Sequence, residues 1–171
     1  RAVVAVIQGI GDPARERIAT AIAKSSGLAR ENLIRAAVDA NVKQIGPLMP
    51  DLLRDLPLDD KQDARWPFFR LVARAAGVLG AKDAIPSLSL MAAATDRLAA
   101  RQAMMSLELL ADESAIGTAT SLLSSSDLLT RRSAIGLLAK FHTAAMTQAK
   151  TLIGASDEAS IRSGIEILSA V

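Results

Sequence analysis

The sequence holds no cysteine and no tyrosine. Disulfide frameworks, thiol nucleophiles and cysteine-ligated zinc are therefore excluded. Histidine occurs once, as His142, which excludes a multi-histidine metal site and leaves one candidate base. Aromatic residues make up 2% of the chain: one Trp and three Phe. Charge of one sign is also missing, since 20 Lys and Arg stand against 18 Asp and Glu. The resulting +2 is too balanced for a strong electrostatic claim on nucleic acid or a membrane surface, and neither is expected as a partner. No apolar run reaches the roughly 20 residues needed to cross a bilayer. No Gly-x-Ser-x-Gly elbow occurs. No stretch alternates with period two, so no sheet is expected.

What is present is apolar and helix-forming. Half of the 171 residues are hydrophobic, enough buried surface to offset chain entropy, so disorder is excluded. The length suits one domain or one stretch of a repeat array. The chain opens in mid-pattern at Arg1-Ala2-Val3-Val4, with no initiator Met and no signal peptide, which reads as a piece of something longer. Absence of cysteine fits cytosol and periplasm alike, with a lean to the cytoplasm.

The dominant signal is an internal repeat. Three stretches begin at Asp96, Asp127 and Asp157, and each carries Arg five residues on: Arg101, Arg132 and Arg162. The arginines are 31 and 30 residues apart, and Arg70, Arg35 and Arg1 extend the series backward at 31, 35 and 34. Two, three, six and nine residues after each Arg stand small, then larger apolar side chains, such as Ala103, Met104, Leu107 and Leu110. Those offsets share one face at 3.6 residues per turn, so each Arg opens an amphipathic helix. Asn41 and Gln44 are the polar intruders, and they mark the unit after Arg35 as degenerate. A companion helix follows each of these, over 13–26, 47–56, 83–94, 113–125 and 143–155, with Pro or Asp at several starts.

The Asp-x4-Arg-x-small-x3-Leu stretches at Asp96, Asp127 and Asp157, with Arg70-Leu-Val-Ala-Arg-Ala-Ala-Gly-Val-Leu-Gly80, resemble the HEAT repeat family, especially its short bacterial type. The resemblance covers about two-thirds of the chain, and the first sixty residues fit only loosely. It implies an all-α fold: a right-handed α-α superhelix, or α-solenoid, of five to six two-helix repeats in one domain over 1–171. Tetratricopeptide repeats match less well, because their Trp, Gly and Tyr positions are missing. The resemblance also implies that turn aspartates and helix arginines form a ladder between adjacent repeats. An Asp at a helix start accepts orphan N–H groups, and an Arg fork can bridge that carboxylate to the neighbouring unit. Asp96, Arg101, Asp127, Arg132, Asp157 and Arg162 are the ladder candidates. Their recurrence suits a structural role, since a catalytic site would occur once.

Other motifs carry less. Gly9-Ile-Gly11-Asp-Pro-Ala14 after an apolar run looks like a dinucleotide-binding turn, but no second βαβ unit follows and the repeat register explains it. Asp59-Asp60 and Asp112-Glu113 read as solvated caps, and His142 as a surface or cap residue. No catalytic residue, cofactor or metal is assigned.

Two surfaces remain. The segment 57–66 interrupts the repeat spacing and leads into Trp66-Pro-Phe-Phe69. It is an inter-repeat loop whose aromatics fill space left by the degenerate repeat, or one that presents Trp66 as a partner anchor. The second surface lies one, four and eight residues after each Arg. There Leu71, Arg74, Val78, Met105, Leu109 and Lys140 form a mixed stripe, on helices that in solenoids line the concave face. That suits a helix or extended peptide of another protein. The expected function is a non-catalytic protein–protein interaction scaffold, with further repeats or domains of the same chain as additional neighbours. The alternatives are an accessory of a phycobilin-lyase-like enzyme, which these short repeats resemble, and, further off, a nucleic-acid-binding repair module.

Overall fold

The computed structural model describes residues 11–171, with side chains from Arg15 onward. The helix expected over Arg1–Ile10 lies outside the described residues, and Gly11-Asp12, expected as a turn, belongs to the first described helix. Within them every regular element is helical and no strand occurs. The α-helices are α1 (Gly11–Lys24), α2 (Gly27–Asp39), α3 (Met49–Leu52), α4 (Trp66–Leu79), α5 (Ile85–Ala92), α6 (Arg97–Leu110), α7 (Ile116–Ser121), α8 (Leu128–Ala139), α9 (His142–Ile153) and α10 (Glu158–Ala170). Tighter 3₁₀ helix fills out the shorter ones, as two turns at Lys43–Leu48 and single turns at Lys82–Ala84, Glu113–Ala115 and Leu122–Ser124.

Two rows of contacts organise these elements. The long helices α2, α4, α6, α8 and α10 each pack against the next in the series. The helices α1, α3, α5, α7 and α9 each pack against the long helix that follows in sequence. Extensive contacts thus join neighbours along the chain. One continuous cluster of buried side chains runs from Ile22 to Ile167.

Local chemistry explains the boundaries. Asp96, Asp127 and Asp157 are extended N-caps whose carboxylates accept the N–H groups of Ala99, Thr130 and Ser160. Each satisfies one of the orphan donors of its helix, worth about 1 kcal/mol. Pro67 and Pro86 sit in first turns, where a missing N–H is harmless. Helix α4 stops at Gly80, whose φ of +73° is cheap only for glycine, and the Ala81 N–H then returns to the Ala76 carbonyl at 2.9 Å.

Two of the companion helices are shorter than their periodicity suggests. The helix expected over 47–56 is a 3₁₀ turn containing Pro47 followed by four α-helical residues. The one expected over 113–125 is broken into 3₁₀, α and 3₁₀ pieces. Its hydroxyls bond back to the chain, with Ser121 donating to the Thr118 carbonyl at 2.9 Å. The first repeat also needs correction. Arg35 does not open a helix; it lies four residues before the end of α2. That helix starts after Ser26, and the chain leaves it at Asn41, which adopts φ +53°. Asn41 and Gln44 are polar because they stand outside the helix, not because a helical stripe has decayed.

Small residues set the spacing of the long helices. Ala73, Ala76, Ala99, Ala103 and Ala134 are fully buried. At the α4–α6 contact a side chain on Gly77 would meet the Ser106 backbone Cα at 2.9 Å. That is too close for any Cβ, so the two backbones touch because Gly77 has none. Gly77→Ala gains about 1 kcal/mol of helix propensity but must push α6 away, and overpacking costs about 1–3 kcal/mol. The expected net result is lower stability by chemical denaturation. Gly117→Ala in α7, where nothing lies within 4 Å, is expected to raise stability by up to about 1 kcal/mol.

Candidate functional site

The parallel stacking of α4, α6 and α8 places equivalent residues side by side. Arg74 and Val78 on α4, Met105 and Leu109 on α6, and Lys140 just past α8 are all exposed. They recur at the repeat offset, so they lie on corresponding faces of successive helices. Their surroundings tie the strip together. The Glu108 side chain lies against Gly136 on α8. Lys140 Nζ donates to the Glu108 carbonyl at 2.5 Å. That carbonyl belongs to the last turn of α6, where carbonyls lack helical partners and a cation is favoured. Lys140 thus clamps α8 to α6 as well as facing solvent.

Leu71 does not share this exposure. It is buried where α4 meets α2, beside a shallow hollow of about 30 Å³ lined with Arg35, Val38, Asp39 and Arg74. Its side chain packs the interface rather than presenting a contact.

Trp66 is also removed from the surface. It is 2% exposed, and its indole Nε1 donates to the Asp60 carbonyl at 2.7 Å. Phe69 meets it edge to face at 6.0 Å, Phe68 meets Phe69 at 5.7 Å, and the Arg65 guanidinium lies over the Phe69 ring. The Leu58 carbonyl accepts both the Thr95 N–H and its hydroxyl, at 3.1 and 3.0 Å. The segment before α4 is thereby stapled to the turn before α6. Trp66 is the closing wedge of that segment and is not available as an anchor.

The aspartate–arginine candidates divide. Arg101 grips Asp127 through Nη2 at 2.7 Å and Nε at 3.2 Å, and Arg97 adds a contact at 3.3 Å. Thr130 donates its N–H and its hydroxyl to the same carboxylate, each at 2.9 Å. Arg70 reaches Asp96 at 3.7 Å. So α4 reaches to the cap of α6, and α6 to the cap of α8. Arg132 makes no such contact. It is exposed, and Asp157 holds only the first turn of its own helix through Ser160. Arg162 pairs with Glu158, one turn back, at 2.8 Å. In both formed rungs the Asp follows the Arg by 26 residues, whereas Asp157 follows Arg132 by 25. Between α7, α8 and the start of α10 a cleft of about 500 Å³ opens, lined by Arg131, Ser125 and Asp157 among others. Arg131, one residue before Arg132, lines that cleft but donates to the Ser125 carbonyl at 2.8 Å.

A third rung lies on the companion side. Lys82 reaches Asp112 at 3.0 Å, joining the turns before α5 and α7. Asp112 is a helix cap as its sequence position suggests, accepting the Ser114 N–H and hydroxyl, but it is also an ion-pair partner. The signal for the pairing was the 30-residue spacing of two turns at equivalent places.

These partners set the acid titrations. The Arg101 guanidinium, then the Thr130 N–H, hold the Asp127 carboxyl far below the usual range. The Lys82 ammonium, then Ser114, lower Asp112 to about 2. Among the described residues no group of three His, Asp or Glu side chains could hold a metal ion, and no helix is long and apolar enough to cross a membrane. A scan against protein-family models finds no match, and a search of curated proteins finds none.

A carboxyl whose folded pKa is depressed stabilises the fold above its unfolded pKa of about 4, and that contribution fades as the pH falls toward the folded value. Urea midpoints are therefore expected to drop between pH about 4 and 2, with a shallower drop in Asp127→Asn; an unchanged pH dependence in that variant would count against the rung. Arg101→Ala is expected to cost about 1–3 kcal/mol by leaving a buried carboxylate short of donors, whereas Arg132→Ala changes stability by less than about 0.5 kcal/mol.

Proposed function

We propose that this chain is a HEAT-like α-solenoid that works as a non-catalytic protein–protein interaction scaffold. The observation that carries the proposal is the strip of Arg74, Val78, Met105, Leu109 and Lys140. Residues at equivalent places on successive long helices stay exposed, while the opposite sides of the same helices pack the core. A single exposed leucine means little, but apolar side chains repeated along one face with cations at both ends form a track. Val78, Met105 and Leu109 suit the apolar stripe of a helix or an extended segment from another protein. Arg74 and Lys140 suit carboxylates flanking that stripe. Methionine and leucine on packed helices offer adaptable contacts without ordering a loop.

The shifted carboxyls are those of helix caps and rungs, where ion pairing has a structural purpose.

The reading is tested by capture of partners with the parent chain and with a Met105→Asp/Leu109→Asp variant. Both positions are exposed, so the variant is expected to keep its helical circular dichroism and to melt within about 2 °C of the parent. A protein retained by the parent and released by the folded variant, with binding restored by Met105→Leu/Leu109→Ile, is the expected result. Equal retention by both chains would refute the strip as the contact.

A further inference from the structure

The place just before each arginine of the repeat column is Phe69 in α4, Ala100 in α6, Arg131 in α8 and Ile161 in α10. Phe69 is 4% exposed and Ala100 9%, so this place packs the inside of the stack. Of these four helices only α8 puts a charge there, and Arg131 lines the cleft of about 500 Å³ between α7, α8 and the start of α10. Among the described residues Arg131 forms no ion pair, and the one hydrogen bond of its guanidinium goes to the Ser125 carbonyl at 2.8 Å. A guanidinium has several further N–H donors, and these are free for a ligand.

The rest of the lining is mixed in sign. Asp157 faces the cleft and uses one carboxylate oxygen on the Ser160 N–H. Arg162 and Glu158 line it as an exposed pair one turn apart, and such a pair holds its members weakly. Leu123 and Leu152 supply an apolar wall. A dianion such as phosphate would meet Asp157 and Glu158, and a simple cation would meet Arg131 and Arg162. At equal distance a like charge repels as strongly as an opposite charge attracts. The pattern therefore selects a molecule that carries both signs and an apolar body.

We infer that this cleft binds a small zwitterion of amino-acid type, a free amino acid or a short peptide with open ends. Its carboxylate takes Arg131, its ammonium takes Asp157, and its aliphatic side chain lies on Leu123 and Leu152. The cleft is of the size usual for small-ligand sites, about 300–1,000 Å³. A carboxylate on a guanidinium forms a charge-assisted pair, which fixes that end of the ligand. The site shares no residue with the strip from Arg74 to Lys140, so each reading can fail alone.

The test titrates the chain with leucine and with the tripeptide Ala-Leu-Ala, following backbone amide and arginine Nε resonances by two-dimensional NMR. Saturable shifts are expected at Arg131 Nε and at the amides around the cleft, with a Kd of about 0.1–1 mM for the better probe. Which probe binds tighter tells a free amino acid from a peptide. Acetylating the amino end of that probe, or amidating its carboxyl end, is expected to weaken binding by about fivefold or more. Asp157→Asn keeps the helix cap, because Asn caps as well as Asp, and is expected to weaken the probe with a free ammonium to the same degree. Arg131→Gln is expected to weaken it about tenfold. If that variant fails to fold, Asp157→Asn and the blocked probes decide the matter alone. The inference is overturned if neither probe gives saturable shifts up to about 10 mM. It is also overturned if sodium acetate or inorganic phosphate moves the same resonances at the same concentrations, or if Asp157→Asn and the blocked probes bind unchanged.

Discussion

The carboxylate of Asp127 receives more directed bonds than any other acidic group described in the chain. It caps α8, takes the Thr130 hydroxyl, and is held by two guanidiniums from α6. Such a group is costly to bury unless every lone pair is used, and here it is used on both sides of a helix–helix interface. The consequence is register. With the start of α8 fixed against the first turn of α6, Lys140 lands on the last-turn carbonyl of Glu108, and the Glu108 side chain lies against Gly136. The exposed strip is a product of that alignment. Slipping one helix by a turn would keep Val78, Met105, Leu109 and Lys140 on the same face but offset them by about 5.4 Å along the axis, breaking the strip.

Asp157 shows what the chain looks like without the rung. It caps α10 but draws no guanidinium, and a cleft stands beside it. The closest packing of the last two helices is internal, with Gly164 of α10 pressed against Ile153 and the Ala149 carbonyl of α9. The last helix pair therefore coheres mainly within itself and leans on α8 through fewer bonds. Arg132 stands at the same place in α8 as Arg101 in α6, so the missing rung goes with the connection to Asp157, which brings that aspartate 25 residues after its arginine instead of 26.

What the sequence made legible is what repeats exactly. The aspartate caps, the arginine positions five residues on, and the small residues between long helices all recur at fixed spacing, and each has a single local cause. The readings that failed depended on longer range. Arg35 shares the arginine spacing only loosely, and the break at Asn41 is set by a left-handed backbone that the spacing does not reveal. Arg132 shares the arginine column with Arg101, yet whether it reaches a carboxylate depends on the length of the intervening turn. Trp66 was read as either filler or anchor because composition cannot tell an aromatic that closes a loop from one that projects. The Asp60 carbonyl and Phe69 decide it. The Lys82–Asp112 contact was hidden because Asp112 reads locally as a helix cap, while its lysine stands thirty residues earlier in another turn.

The account requires that successive units be joined by the α6–α8 rung and not merely by apolar contact. A double-mutant cycle on Arg101→Ala and Asp127→Ala, read by urea denaturation at pH 7, measures that directly. A coupling free energy of about 1 kcal/mol or more is predicted for a bidentate, largely buried pair. A coupling indistinguishable from zero, with the two single substitutions simply adding, would show that the rung does not hold the helices in register and would contradict the account.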